Sequence, residues 1–311
     1  MRITNNAMMS SYLDDLQKNL QGMNKLNSQL NSGKIVGKVS DDPYKAIKIL
    51  NLQNEISDVE KYNSNADEIL GWLDVTDDAM DRVGSLTSDI RTLLVSIQGT
   101  YGPDEVKATQ TEINEKVKQI GEALNTTYAG KFVFGGSITD EPPIKITEKD
   151  GVAQLVINNA DNDRLNDSLV VEISDGISLD HNLTLSQITA TEGNETGKTN
   201  GLDILNGIVL TLNQNNPVNE EELKKLRTDL DTYLSDILNN RALVGGKSNT
   251  VSAIKDSNDE NILEMKGSYS LMQDVNFAEY FMELQEAQMM YSASLQIGAK
   301  LLQPTLLDYM R

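Results

Sequence analysis

Cysteine is missing from the 311 residues. That excludes disulfides, thiol catalysis and cysteine-ligated metal. Histidine occurs once, at His181, so a histidine metal cluster, an HExxH zinc site or a Ser-His-Asp triad has a single ring to work with. Aromatic residues make up 5 %, with four Phe and the single Trp72, which argues against a large compact core. Trp72 itself reads as a packing anchor. Positive charge is scarce: 27 Lys and Arg face 47 Asp and Glu, a formal charge of -20. Such a chain cannot neutralise phosphates, so nucleic acid is excluded as a partner, and an anionic membrane surface is equally unsuited. The simplest use of the charge is solubility and mutual repulsion of copies. No run is long and apolar enough to span a bilayer, and MRITNNAMMS at the start has no signal-peptide core. Membrane insertion is not expected; the chain is cytosolic or leaves the cell without a cleaved signal.

What the sequence has is helical periodicity at both ends. From Asp274 to Met310, Phe277, Tyr280, Phe281, Leu284, Ala287, Tyr291, Leu295, Leu301 and Leu302 fall at three- and four-residue spacing, one stripe along a helix. Glu279, Glu283 and Glu286 lie early and Lys300 late, as the helix dipole favours. Over 8–32 a matching heptad stripe runs through Met9, Leu13, Leu16, Leu20, Met23, Asn27 and Leu30, with Asn27 placed to fix register. Ser32-Gly33 ends that helix. Two matched stripes predict an antiparallel pair that brings the termini together. Between them, Ser40-Asp41-Asp42-Pro43 opens a long helix. Its stripe runs Ile49, Leu52, Ile56, Val59, Ala66, Leu70, Leu73, then shifts after Gly71 to Val75, Ala79, Val83, Leu86, Ile90, Leu93 and Ile97, predicting a kink or break within 71–77. A turn at 99–103 leads to a helix over 104–128. Helices resume over 202–213, 219–240 and 245–270, the last despite Gly245-Gly246 and with an interruption at Gly267.

Residues 137–200 differ in character. Short β-rich runs at 144–147, 154–157 and 169–173 are separated by Asp150-Gly151 and Asp161-Asn162-Asp163, a small β insert expected at the surface and removable without unfolding the helices. Candidate chemistry is thin. Gly246-Lys247-Ser248 has the end of a phosphate-binding loop, but Arg241 stands where its first Gly belongs. Asp161, Asp163 and Asp167 suggest calcium, yet the sixth-position Gly and terminal Glu are missing, so a turn is the better reading. Met289-Met290 reads as ordinary helix packing. No acid–base pair stands out, and no cofactor or metal is expected.

The opening MRITNN, the segment LNSGKIVGKVSDDP, Arg241-Ala242-Leu243-Val244-Gly245-Gly246 and Asp274-Val275-Asn276-Phe277-Ala278-Glu279 together resemble the bacterial flagellin family. Ser40-Asp41-Asp42-Pro43 and Gly130-Lys131-Phe132-Val133-Phe134-Gly135-Gly136 resemble its hook-associated, hook–filament junction branch; flagellin itself usually has Ala after the paired Asp. The resemblance covers roughly 1–136 and 202–311. It implies flagellar type III export to the cell exterior and a ring of about eleven copies of the chain. It also implies contacts to hook-associated protein 1 and flagellin, and an export chaperone.

The expectation is a mainly α chain: a long antiparallel helical bundle or coiled-coil rod with paired N- and C-terminal helices and a small inserted β domain. Its parts are a terminal assembly domain (1–40 and 270–311), a helical rod (41–136 and 201–269) and a β-rich outer domain (137–200). The expected assembly interface is Leu13, Leu16, Leu20, Met23, Phe277, Phe281, Leu284, Tyr291, Leu295 and Leu302. The resemblance favours a structural subunit of the flagellum joining hook to filament. The alternatives are a minor flagellin or a stalked binding module acting through the insert; an enzyme is the weakest reading.

Overall fold

The structure, a computed structural model, describes residues 2–97, 103–149, 151–158, 163–191, 199–214 and 220–301. It is mainly α. Helix α1 spans Arg2–Ser32, α2 Pro43–Ile97 and α3 Pro103–Leu124; after the β region come α5, Gly201–Gln214, α6, Glu220–Gln273, and α7, Phe277–Leu301. The β region holds β1 (Thr127–Tyr128), β2 (Lys131–Phe132), β3 (Ile144–Lys149), β4 (Val152–Ile157), β5 (Val170–Ser174) and β6 (Ile177–Asp180). The short helix α4 (Leu185–Thr189) and the pair β7 (Ala190–Thr191) and β8 (Thr199–Asn200) close it. Two compact units result: 1–58 with 260–311, and 59–259.

The 59–259 unit corrects the expectation of a small core. One continuous apolar cluster takes in Ile69, Leu73, Met80, Ile90 and Leu94 of α2, Ile113, Ile120 and Leu124 of α3, and Leu205 and Ile208 of α5. Leu, Ile and Val supply the volume that aromatics would supply elsewhere, and aliphatic side chains fill a core as densely. The β region joins this cluster: Ile144, Val152, Leu155, Ile173, Leu183 and Ile188 are buried in it. It is not a polar appendage. The β3–β4 hairpin lies flat on α3 at Gly121, where a Cβ would meet Leu155 Cδ2 at 2.6 Å.

Among the described residues each sheet has two strands, so these strands have edges needing hydrogen-bond partners. Asparagine amides serve. Asn206 of α5 accepts from Leu155 N at 2.8 Å and donates to Leu155 O at 2.9 Å. Asn125 does the same for Ile144, and Asn114 accepts from Ala153 N. Asn65 and Asn258 donate to Glu172 O and Ile173 O of β5. A side-chain amide carries the donor and acceptor of a peptide group, so each helix stands in for a missing strand.

Helix α2 is not broken at 71–77; it is continuous over 55 residues. Gly71 serves packing instead. A Cβ there would lie 2.4 Å from the Tyr128 hydroxyl oxygen, so Gly71 makes room for that ring. Helix α6 likewise runs unbroken through Gly245, Gly246 and Gly267, around which a Cβ would meet nothing. The glycine-bounded 130–136 segment contributes only β2 to strand. Ala129 and Gly130, with φ of 48° and 79°, make the tight turn from β1, as two-residue hairpin turns require. Val133 and Phe134 then plunge into the core.

Candidate assembly interface

The unit formed by 1–58 and 260–311 is built on α1 and α7, which pack against each other. Their connections to the neighbouring helices are clasped. Ile35 N donates to Gln273 O at 2.7 Å, and Val275 N to Gly33 O at 3.0 Å, an antiparallel bridge centred on Lys34 and Asp274. Gln29 Nε2 donates to Ile35 O and Gln273 Nε2 to Val36 O. Gly33, at φ 69°, provides the left-handed step that ends α1. Val36, Ala46 and Ile49 bury beside it, with Tyr269 packed on them.

On α1 the shielded positions are Tyr12, Leu16, Asn19, Met23, Leu26 and Leu30; on α7 they are Tyr280, Leu284, Ala287, Tyr291, Ser294 and Gly298. Both sets step by four and three, the seam of an antiparallel coiled coil. The register is keyed by Tyr12, whose hydroxyl donates to Ser294 O at 2.7 Å and occupies the notch left by Gly298. Asn27, expected to fix register, is exposed and accepts from Asn31 of its own helix. Asn19 takes the seam position.

The expected interface residues therefore divide. Leu16, Met23, Leu284 and Tyr291 lie in the seam. Leu13, Leu20, Phe277, Phe281 and Leu295 remain exposed, Leu295 at 45 %. Leu302 falls outside the described residues. Sequence periodicity merges two stripes because they share Leu16, Met23 and Leu30. At about 100° per residue, Met9, Leu13 and Leu20 lie roughly 75° from the seam of α1, and Phe277, Phe281 and Leu295 roughly 75° from the seam of α7, in the same rotational sense. In an antiparallel pair, equal offsets of one sense emerge on one face. The pair therefore presents two parallel apolar stripes side by side, and no residue of the chain covers them among those described.

Elsewhere several of the polar groups singled out in the sequence have structural partners. Gly246-Lys247-Ser248 lies inside α6, and Lys247 Nζ holds Asp180 Oδ2 at 3.0 Å, which removes the phosphate-loop reading. Arg241 grips Asp77 through Nε and Nη2 and reaches Asp81 through Nη1, so the 241–246 segment clamps α6 to α2. Asp167 accepts from Ser137 Oγ. His181 is buried against Trp72, ring centroids 5.5 Å apart and nearly perpendicular; burial lowers its pKa below the usual histidine value. These two rings floor a cleft of about 310 Å³ that also includes Glu68, Lys131 and Thr139. No group of three or more His, Asp or Glu placed to hold a metal occurs among the described residues, and none of their helices is long and apolar enough to cross a membrane.

Comparisons with known proteins agree with this architecture. Residues 3–139 match the bacterial flagellin N-terminal helical region. The flagellin of Listeria innocua is 19 % identical over 299 residues, 96 % of this chain and 94 % of that protein. The flagellin of Clostridium tyrobutyricum is 23 % identical over 196 residues, and the match spans 51 % of its length. In fold, a flagellar hook-associated protein of Vibrio parahaemolyticus superposes with a TM-score of 0.63 at 22 % identity, over 75 % of this chain and 99 % of that one. Flagellar hook-associated protein-3 of Legionella pneumophila gives 0.62 at 10 % identity, over 72 % and 98 %. The N-terminal part of the chain is thus similar to the bacterial flagellin N-terminal helical region, and the fold is that of the solved flagellar hook-associated proteins.

Proposed function

We propose that the protein is a non-enzymatic subunit of the extracellular bacterial flagellum that joins hook to filament. The observation that carries this is the uncovered apolar face of the α1–α7 pair. Apolar stripes left outside an already closed seam are what a helix needs when it is to be buried again by neighbours. Residues 1–40 and 270–311 form the assembly domain, 41–136 with 201–269 the rod, and 137–200 the outer region. The partners are further copies of the chain in a ring, hook-associated protein 1 on the hook side and flagellin on the filament side. Before assembly an export chaperone covers the terminal helices, and the flagellar type III route carries the chain out.

A minor flagellin is the second reading, favoured by the alignment with Listeria innocua flagellin over nearly the whole chain. Deleting the gene and imaging the cells separates the two. A junction protein gives intact hooks without filaments, with flagellin released into the medium. Normal filaments on the deleted cells would overturn the junction role.

A further inference from the structure

The cleft floored by Trp72 and His181 has no part in the terminal helices; all of its residues lie in the 59–259 unit. Three elements meet around it: α2, the 131–139 segment and β5. Its volume of about 310 Å³ suits a small molecule. Trp72 and His181 are 5 % and 8 % exposed, yet Trp72 Nε1 and His181 Nδ1 have no hydrogen-bond partner among the described groups. Buried polar atoms are ordinarily paired, and leaving one unpaired costs free energy. The β5 wall adds backbone. His181 N donates to Leu169 O, and Val171 stands opposite Leu179, so 169 and 171 are the bonded positions of the β5–β6 ladder. Val170, between them, turns its N–H and C=O to the other side. That is the side on which Asn65, another lining residue, meets Glu172 O. The lining also holds one anion and one cation, Glu68 and Lys131, both exposed. Neither enters an ion pair among the described residues.

This chemistry narrows the ligand. A sugar ring would need an open aromatic face, but Trp72 is buried, with the rings of Tyr128 and His181 set nearly perpendicular to it at 6.0 and 5.5 Å. A simple anion would meet Glu68, and a simple cation Lys131. Burial lowers the His181 pKa, so that ring is neutral at pH 7 and adds no charge. A small molecule carrying both charges answers both side chains. We propose that this cleft binds a free α-amino acid as its zwitterion. Lys131 takes the carboxylate and Glu68 the ammonium group, each as a charge-assisted hydrogen bond. The peptide edge of Val170 and the two ring nitrogens supply the neutral hydrogen bonds, and Ile69 and Leu169 give the ligand's side chain an apolar wall. The site goes beyond the assembly role and does not rest on it.

Trp72 is the single tryptophan of the chain, so its fluorescence reports on the cleft directly. The purified full chain is titrated with each standard L-amino acid up to about 10 mM, with D-glucose and inorganic phosphate as comparison probes. At least one amino acid should shift the emission saturably and raise the melting temperature, as a ligand of the folded state does. Glucose and phosphate should do neither. Glu68→Gln and Lys131→Gln should each weaken that binding by about tenfold or more. Both side chains are exposed, so the variants should keep the fold, which circular dichroism checks. On the wild-type chain, the α-amide and the N-acetyl derivative of the same amino acid each lack one charge and should also bind about tenfold more weakly. A chain that responds to no amino acid overturns the proposal, and the cleft then holds only water. Undiminished binding by both variants places the ligand elsewhere and overturns it too, as does an equal response to glucose or phosphate. Should either variant fail to fold, the derivatives decide: binding as tight as that of the parent amino acid overturns the zwitterion site.

Discussion

A methyl group on Gly298 would lie 2.2 Å from the Tyr12 hydroxyl oxygen, whereas one on Gly267 would touch nothing. In an exposed helix, Gly→Ala ordinarily stabilises by roughly 0.5–1 kcal/mol, through backbone entropy. The two positions should therefore differ in sign. Gly267→Ala should raise stability by about that amount. Gly298→Ala should expel Tyr12 and break its bond to Ser294 O, for a net loss of about 1–2 kcal/mol from the terminal pair. Hydrogen exchange of the α1 and α7 amides measures the second, and denaturant unfolding the first. Burial acts on His181 in a second residue-scale test. Its pKa is lowered in the folded chain, so between that value and the unfolded value near 6.5 the unfolded state binds more protons. Stability should fall as pH drops below about 6.5 and level off below the folded pKa. Of the groups facing the ring, Glu68 and Asp180 oppose the shift and Lys247 adds to it. His181→Gln should flatten that part of the curve; an unchanged slope would mean that other groups set it.

Helix boundaries were largely legible, since heptad spacing at Met9–Leu30 and Phe277–Leu301 and the Ser40–Pro43 start are local signals. Glycines were misleading because a sequence does not say whether a glycine bends a helix or admits a ring: Gly71 admits Tyr128 and Gly298 admits Tyr12. The division of the terminal residues into seam and outer face was not legible either, because Leu16, Met23 and Leu30 fit both stripes. Asparagine was abundant but silent, since which Asn will satisfy a strand edge depends on tertiary neighbours. The largest consequence concerns 137–200. Its composition suggests a removable outer piece, yet Ile144, Leu155, Ile173 and Ile188 share the core of α2, α3 and α5. Deleting 139–199 should therefore uncover Ile120, Leu124 and Leu205 and unfold the 59–259 unit, rather than leave the helices intact. Loss of a cooperative thermal transition by circular dichroism is the expected result. A deleted chain that melts like the parent would show the core to be separable.

Charge is divided across the whole molecule. Residues 59–259 hold 34 carboxylates against 17 basic groups, a net -17, leaving -3 for the unit that carries α1 and α7. Most of the repulsive charge is thus carried by the unit that does not contain α1 and α7. That leaves the apolar face of the pair to decide assembly, and Leu295 tests it. In the free chain Leu295 is exposed and outside the seam, so Leu295→Asp should leave expression, the α1–α7 pair and thermal unfolding near normal. Once neighbours cover the face, the carboxylate would be buried without a partner, at a cost of several kcal/mol per copy. Every copy in a ring carries the same defect, so the joint should fail as a whole. Leu284→Asp offers the contrast. Leu284 sits in the seam, and its replacement should loosen the terminal pair in the monomer itself, visible as faster exchange of α1 and α7 amides. Export is the step that could imitate either result, because a chaperone would grip the same helices. Secreted protein and filaments are therefore counted on the same cells. Leu295→Asp protein that is secreted at the normal level and still carries filaments would remove the exposed stripe from the assembly surface.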